Sequence, residues 1–496
     1  MPISSEDLET AVTLESSRTG IVEEPPFHIL VLGDWSGDGE KRDLDARKPI
    51  EIDRDEFDDV MSKLAVSVEL DFDDGTILPL EFNDLDDFHP DAIFRKIPMF
   101  SDLRDLRKRL KDESSFYSAA REVRDRFNVK RPSEPVDLPS EEPPAEDLLG
   151  AILSKPSGGA PAPKPRLSSD LGNLISDLVR PHLVSVDENE QAGMLAAVDE
   201  ATSGLMRKIL HHRKFQELEA SWRALYLLVR RTETSTDLKI FLLDVSKDEL
   251  ADNLKSASNL DETTLYRILI KDAYDADPWA LVVGSFAFSA IVDDVASLMR
   301  ISKICKVANS PFVSQMLADV LGVQSLFDNA DPRQWKLGDD TEAGKLWAAL
   351  CSQTDSEYVG MTMPRFLSRL PYGADTEPLE NFQLEEFVDA PVHDQYAWAN
   401  SAFLAAQLIA ESYSAYGWEM GRALKQDIEG LPVHVYKDGT ETVFKPCGEV
   451  LLTEDACNKL MEHGLMPLVS FKNTDRVKLA RFQSIADTAL KGMWSS

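Results

Sequence analysis

Two adjacent histidines, His211 and His212, open the stretch HHRKFQELEASWRALYLLV, with Glu217 and Glu219 close behind. Imidazole and carboxylate together could ligate a metal or move a proton. Their spacing argues otherwise. Neighbours on a helix sit about 100° apart, whereas a helical zinc pair needs the four-residue spacing of HExxH. On a 3.6-residue period Phe215, Leu218, Trp222, Leu225, Tyr226 and Val229 fall on one stripe, with Glu217, Arg223 and Arg230 largely outside it. The pattern predicts a packed helix whose histidines serve packing or capping.

Other chemistry-bearing stretches fail on similar grounds. GDDTEAGKL (338–346) has five residues between its glycines where a phosphate loop has four, Leu346 follows the lysine in place of Ser or Thr, and no apolar strand precedes it. It reads as a surface loop. VLGDWSGDGE lacks GxGxxG and places acids where a phosphate would need amide donors. The acidic run from Asp38 to Asp59 has none of the EF-hand alternation. Cys305, Cys351, Cys447 and Cys457 form no CxxC pair, so reduced, mostly buried thiols are expected. No Ser-His-Asp or Cys-His grouping can be assembled. The expectation is a protein with no catalytic, cofactor-binding or metal-ligating residues and no cofactor. A hydrolase built on unfamiliar motifs is the remote alternative.

These stretches sit on elements that the hydropathy pattern defines. A chain of 496 residues exceeds one ordinary core. Its net charge of −34 argues against a nucleic-acid groove, which needs clustered Lys and Arg. No apolar run is long enough for membrane insertion, and MPISSEDLETAVTLE has no secretory pattern, so a cytoplasmic protein is expected. The Pro-rich segment 131–184 (RPSEPVDLPSEEPPAEDLL, KPSGGAPAPKPRLSSD) reads as a linker. It separates residues 25–130, behind a polar tail at 1–24, from residues 185–496. In the first part Ile29 to Leu32 of FHILVLGDWSG reads as a short apolar strand stopping at a Gly-Asp turn, IDRDEFDDVMSKLA as a helix, SVELDF and LPLEFN as a hairpin turning at DDGT, and 91–127 as helical. In the second part LKIFLLDV, a helix, the apolar strand WALVVGSFAF and the helix IVDDVASLMRISKICKVA alternate, and DQYAWANSAFLAAQLIAESYSAYGW reads as a deeply buried helix. The fold class is therefore α/β (mixed α+β), in two modules.

ILHHRKFQELEASWRALYLLV, PWALVVGSFAFS, ANSPFVSQML, MTMPRFLSRLPYG, YAWANSAF and YGWEMGR, running in this order over 170–485, resemble the large subunit of the contractile sheath of the type VI secretion system. PFHILVLGDWSG, PIEIDRDEFDDVMSKL and LEFNDLDDFHPDAI, over 25–130, resemble its small subunit. The resemblance implies a fusion of the two, a structural subunit that polymerises around an inner tube of hexamers and contracts to propel it. It also implies partners: other sheath subunits, the inner tube, a baseplate and an AAA+ unfoldase. Residues 1–24 carry only a weak strand pattern and FQSIADTALKGMWSS stops before the family's usual carboxyl end, which leaves a non-polymerising, baseplate-associated sheath-like subunit as the alternative.

Two sets of residues follow. In the family the unfoldase binds a short amphipathic helix near the start of the large subunit. Leu171, Leu174, Ile175 and Leu178 of SDLGNLISDLV are the preferred candidate over EDLLGAIL. The apolar-periodic segments name Phe215, Trp222, Trp279, Phe366, Trp398 and Trp418 as structural anchors. Within MTMPRFLSRLPYG, Pro364 and Pro371 predict a structural turn, with Arg365 and Arg369 available to pair with acids.

Overall fold

A computed structural model describes residues 24–73, 75–112, 114–127, 190–274, 277–336 and 341–495. Strand β1 (Phe27–Gly33) is buried along its whole length, because it is central in its sheet and covered on both faces. Its alternating side chains feed two cores: Phe27, Ile29 and Val31 point into one, Leu30 and Leu32 into the other. The apolar run FHILVLG, interrupted only by His28, is what such a position demands.

The sheet has nine strands. Besides β1 they are β2 (Ile50–Ile52), β5 (Leu238–Asp244), β6 (Trp279–Phe288), β7 (Phe312–Met316), β8 (Val359–Met363), β11 (Asp427–Ile428), β14 (Leu465–Ser470) and β15 (Val477–Leu479), in the order β11-β15-β14-β8-β7-β6-β1-β5-β2. The six strands from β14 to β5 run parallel; β2 is antiparallel at one edge, and toward the other β15 is antiparallel to β14 and β11 to β15. The amino-terminal module therefore supplies a central strand to the sheet of the second. β1 pairs β5 from Phe27↔Leu238 to Gly33↔Asp244 and pairs β6 on its other side. On β6, Gly284 is required by close approach, since a Cβ there would lie 2.6 Å from the Phe312 ring.

Helices cover both faces, giving three layers. In the first module α1 (Phe57–Lys63), the hairpin β3 (Val66–Asp71) and β4 (Ile77–Phe82), α2 (Pro90–Lys96), α3 (Pro98–Lys111) and α4 (Phe116–Phe127) follow in turn. Next come α5 (Glu190–Leu210), α6 (Arg213–Arg231), α7 (Lys247–Ser256), α8 (Val292–Ala308), α9 (Glu342–Cys351), α10 (Ala402–Tyr416) and α11 (Glu454–Glu462). Residues of α6 and α10 share the core that holds Phe27, while those of α7, α8, α9 and α11 belong to the core that holds Leu30.

Several element boundaries differ from the sequence reading, each for a local reason. Ile50–Ile52 is a strand, and helix α1 starts only at Phe57, after the Asp53 carboxylate has accepted from the amides of Asp55 and Glu56. The helical stretch 91–127 is three helices, interrupted at Ile97 before Pro98 and at Asp112, whose carboxylate binds Ser114 and Ser115. The Ala-rich helix begins at Ala402. Trp398–Ala399 before it is strand β10, paired with β9 (Phe366–Leu367), and Asn400 accepts from the Ala402 amide while its own amide binds the carbonyls of Gly284 and Phe286. Gly344, Lys345 and Leu346 lie not in a loop but in α9, which Thr341 caps. Helix α5 has no counterpart in the sequence reading.

Candidate functional site

In open parallel sheets the ligand crevice lies beyond the carboxyl ends of the strands, where the chain reverses its direction of travel across the sheet. Here β5 joins one side of β1 and β6 the other, so that point is the end of β1. It is filled from within. Trp35 is fully buried, edge-on to Trp222 with ring centroids 5.3 Å apart, and the Trp222 indole donates to the Trp35 carbonyl at 3.1 Å. The Asp244 carboxylate accepts from the Trp35 and Ser36 amides at 2.8 and 3.1 Å and from the Ser36 hydroxyl at 2.7 Å.

Neighbouring charges are spent on one another. Arg47 grips Glu249 in a bidentate pair that, with the Ser246 amide, holds the Glu249 carboxyl at about 2. Lys247 binds Asp294 and the Ala287 carbonyl. Among the described residues no group of three or more His, Cys, Asp or Glu is placed to hold a metal. Burial pushes the Cys305 thiol far up and Cys351 up to about 12, so neither is a ready thiolate.

The two histidines of the opening motif part company. His212 stands at the start of α6, its Nε2 3.1 Å from the Asp71 carbonyl, whereas His211 lies flat against Phe387 with Nε2 3.6 Å from Glu386. His211 belongs to a buried ionic network. Arg369, 5% exposed, donates to Glu219 at 2.8 Å and to both oxygens of Glu386 at 2.8 and 3.2 Å. Arg223 reaches the same Glu219 oxygen at 2.8 Å and the Tyr372 hydroxyl at 3.0 Å, and the Arg369 guanidinium lies over the Tyr372 ring. Two cations meet two anions, so the cluster is neutral. Burial by itself would raise the Glu386 carboxyl, but the Arg369 charge and the His211 and Tyr372 contacts outweigh it and hold it at about 2.

MTMPRFLSRLPYG is thus the tie between helix α6 and the segment around Glu386. Arg369 found acids, as its pattern suggested; sequence alone could not say which. Arg365 pairs with Glu449 at 2.6 Å.

The predicted anchors fall at different depths. Phe215 and Trp222 are fully buried on α6, Phe215 packing against the stacked pair Phe82 and Phe88 of the first module. Phe366, Trp279 and Trp398 are buried, with the two indoles donating to the carbonyls of Ile268 and His393. Trp418 is only half-buried, because it lies at the edge of the core, beside Phe27, where it donates to the Pro25 carbonyl at 2.8 Å. Leu171, Leu174, Ile175 and Leu178 lie outside the described residues.

A feature the sequence reading passed over is the two-stranded ribbon of β12 (His434–Asp438) and β13 (Glu441–Lys445). Its signal was present: VHVYK and ETVFK alternate around Asp-Gly, and Gly439 takes the left-handed φ of +59° that the tight turn needs. The inner face is clamped. Lys445 contacts Nδ1 of His393 at 2.8 Å under the rings of Phe327, Tyr396 and Trp398, and burial lowers its amine to about 8. The Tyr396 hydroxyl and Nδ1 of His434 are 2.7 Å apart. The outer face carries the cross-strand pair Val435 and Phe444, 43% and 41% exposed, and neither edge has a strand partner among the described residues.

The end of β1 is thus filled by Trp35 and Trp222, the network around Arg369 balances its charges, and the ribbon leaves its outer face open. Residues 192–486 match the family described as EvpB/VC_A0108, tail sheath N-terminal domain, and residues 12–128 match that described as Type VI secretion system, VipA, VC_A0107 or Hcp2. The type VI secretion system sheath protein TssC1 of Pseudomonas aeruginosa is 35% identical over 305 residues, 60% of this chain and 61% of that protein. The chain thus spans about three fifths of the length of that curated relative. It belongs to the type VI secretion tail sheath family, and it carries the small-sheath and large-sheath segments in one polypeptide. Among the described residues no helix is long and apolar enough to cross a membrane.

Proposed function

We propose that this chain is a repeating subunit of a contractile type VI secretion sheath, polymerising around an inner tube and contracting to propel it. The observation that supports this is the placement of β1. One chain contains both kinds of sheath segment, interleaved in one sheet. The partners are further copies of the chain, inner-tube hexamers, a baseplate and an AAA+ unfoldase that recycles the contracted tube. The β12–β13 ribbon, fixed at its base and open on both edges, suits strand addition from a neighbour. Contraction is then a switch between two packings of the same surfaces.

Co-expression with the other components of the system, followed by electron microscopy, tests the reading. Hollow tubes containing this chain are the expected result. A chain that stays monomeric while inner tubes form normally would overturn it in favour of a non-polymerising accessory subunit.

A further inference from the structure

The chain carries a net charge of −34, yet residues 95–127 hold ten Lys and Arg against six Asp and Glu. Much of this positive charge is consumed at home: Lys96 pairs with Asp87, Arg107 with Asp199, Arg109 with Glu122 and Arg121 with Asp125. Four of the remaining cations lie on or next to α3. Arg95, Arg104, Lys108 and Lys111 have no ion-pair partner among the described residues, and Arg95, Lys108 and Lys111 are exposed. Arg104 lies over the Phe94 ring and reaches the Arg95 carbonyl, which sets the backbone of Arg95 beside the strip. Arg104, Lys108 and Lys111 then follow at helical spacings of four and three on one flank of α3, about 10 Å at ~1.5 Å per residue. Leu103, Leu106 and Leu110 occupy the buried face beside them.

The same module has an opposite pole. On α1 and the turn before it Asp55, Glu56, Asp58 and Asp59 are all exposed, again with no ion-pair partner among the described residues. Acids crowd there: burial first, then the charges of Asp87 and Asp58, push the Asp84 carboxyl up. Helix α2 separates the poles, starting just after the Asp84–Asp87 turn and ending at Arg95 and Lys96. Within one copy the pair Lys96–Asp87 is the contact that links them.

We propose that Arg95, Arg104, Lys108 and Lys111 form a docking strip for the acidic α1 pole, Asp55, Glu56, Asp58 and Asp59, of a second copy of this chain. Charge complementarity selects the occupant: four clustered cations in so acidic a protein repel little of it and attract its commonest surface. Because strip and pole are different surfaces, the contact is heterologous, and each docked copy presents a fresh strip to the next. This deepens the sheath reading and rests on it. Exposed charge pairs of this kind act largely on encounter rate and register, and salt weakens them.

The test uses full-length chains. Lys108→Glu with Lys111→Glu is expected to raise the concentration for half-maximal assembly roughly tenfold at low salt, about 1.4 kcal/mol, with an unchanged circular-dichroism melt. Asp58→Lys with Asp59→Lys should do the same, and a one-to-one mixture of the two variants should regain most of the loss. Assembly of the lysine variant at the wild-type concentration overturns the proposal, as does a mixture that fails to recover. Recovery within one chain on adding Glu141→Lys and Glu142→Lys would also overturn it, assigning the strip to the chain's own linker. A direct measurement is independent of tube formation: chains with Lys108→Cys and with Asp59→Cys are mixed at low salt under mild oxidation. A disulfide between them without any tubes would keep the contact and reject the sheath; tubes without that disulfide would do the reverse.

Discussion

Arg369 shows what a single side chain does in this molecule. It neutralises two buried glutamates from different parts of the chain, Glu219 on α6 and Glu386, so truncation leaves Glu386 without its guanidinium and Glu219 with Arg223 alone. Arg369→Ala is expected to cost about 3–5 kcal/mol in chemical denaturation at pH 7. The pH dependence has a definite sign. The Glu386 carboxyl sits at about 2 in the fold against an ordinary 4.5, so its contribution is fully present above pH 4.5 and is lost as the pH falls toward 2. The gap between wild type and Arg369→Ala should therefore narrow across that window. A gap that stays constant from pH 6 to pH 3 would remove Glu386 from the account. Lys445 has the opposite character: burial lowers its amine to about 8 against 10.5, so its cost to the fold is full below pH 8 and fades as the pH rises toward 10.5. Lys445→Met is accordingly expected to hold or raise thermal stability at pH 7, and a clear drop would mean that the three surrounding rings outweigh desolvation.

Helix α6 is, with strand β1, one of the elements that join the two sequence modules. Trp222 touches Trp35 and Phe57, and Phe215 touches Phe82 and Phe88, all four partners lying in the amino-terminal module. Trp222→Ala should cost about 3–5 kcal/mol and speed proteolysis in both modules together; protection retained in the first module would show that it does not depend on α6. The β12–β13 ribbon predicts a different outcome. Val435→Lys with Phe444→Lys changes exposed positions and should leave the melting temperature within the spread of surface substitutions, about 0.5 kcal/mol, while reducing tube yield in electron micrographs. Elements with a strong local period were legible in sequence: WALVVGSFAF, the hairpin around DDGT and the apolar stripe of α6 form as their patterns predict, and the strand expected at Ile29 to Leu32 forms and runs on from Phe27 to Gly33. The strand Ile50–Ile52 was hidden inside an acidic run, since a three-residue edge strand has too few positions to show alternation. Neither the insertion of β1 between β5 and β6 nor the meeting of Arg369 with Glu219 could be read, because both depend on partners 150 or more residues away, which local periodicity does not encode.

At the scale of the whole molecule, the covalent join between the segments is not what holds them together. A protease site placed between Gly158 and Gly159 should, after cleavage, give two fragments that still elute as one species in gel filtration, because β1 remains hydrogen-bonded on both sides and walled by two cores. Separation of the fragments in native buffer would contradict this. The same central strand sets a timetable for biosynthesis. β1 leaves the ribosome first, but β5 follows some 200 residues later and β6 some 250, at 5–20 residues per second. For roughly 10–50 seconds the nascent chain must carry a largely apolar strand whose two neighbours have not yet been made. A trigger-factor-like holdase acting on FHILVLG during translation is the kind of help such an order of synthesis calls for.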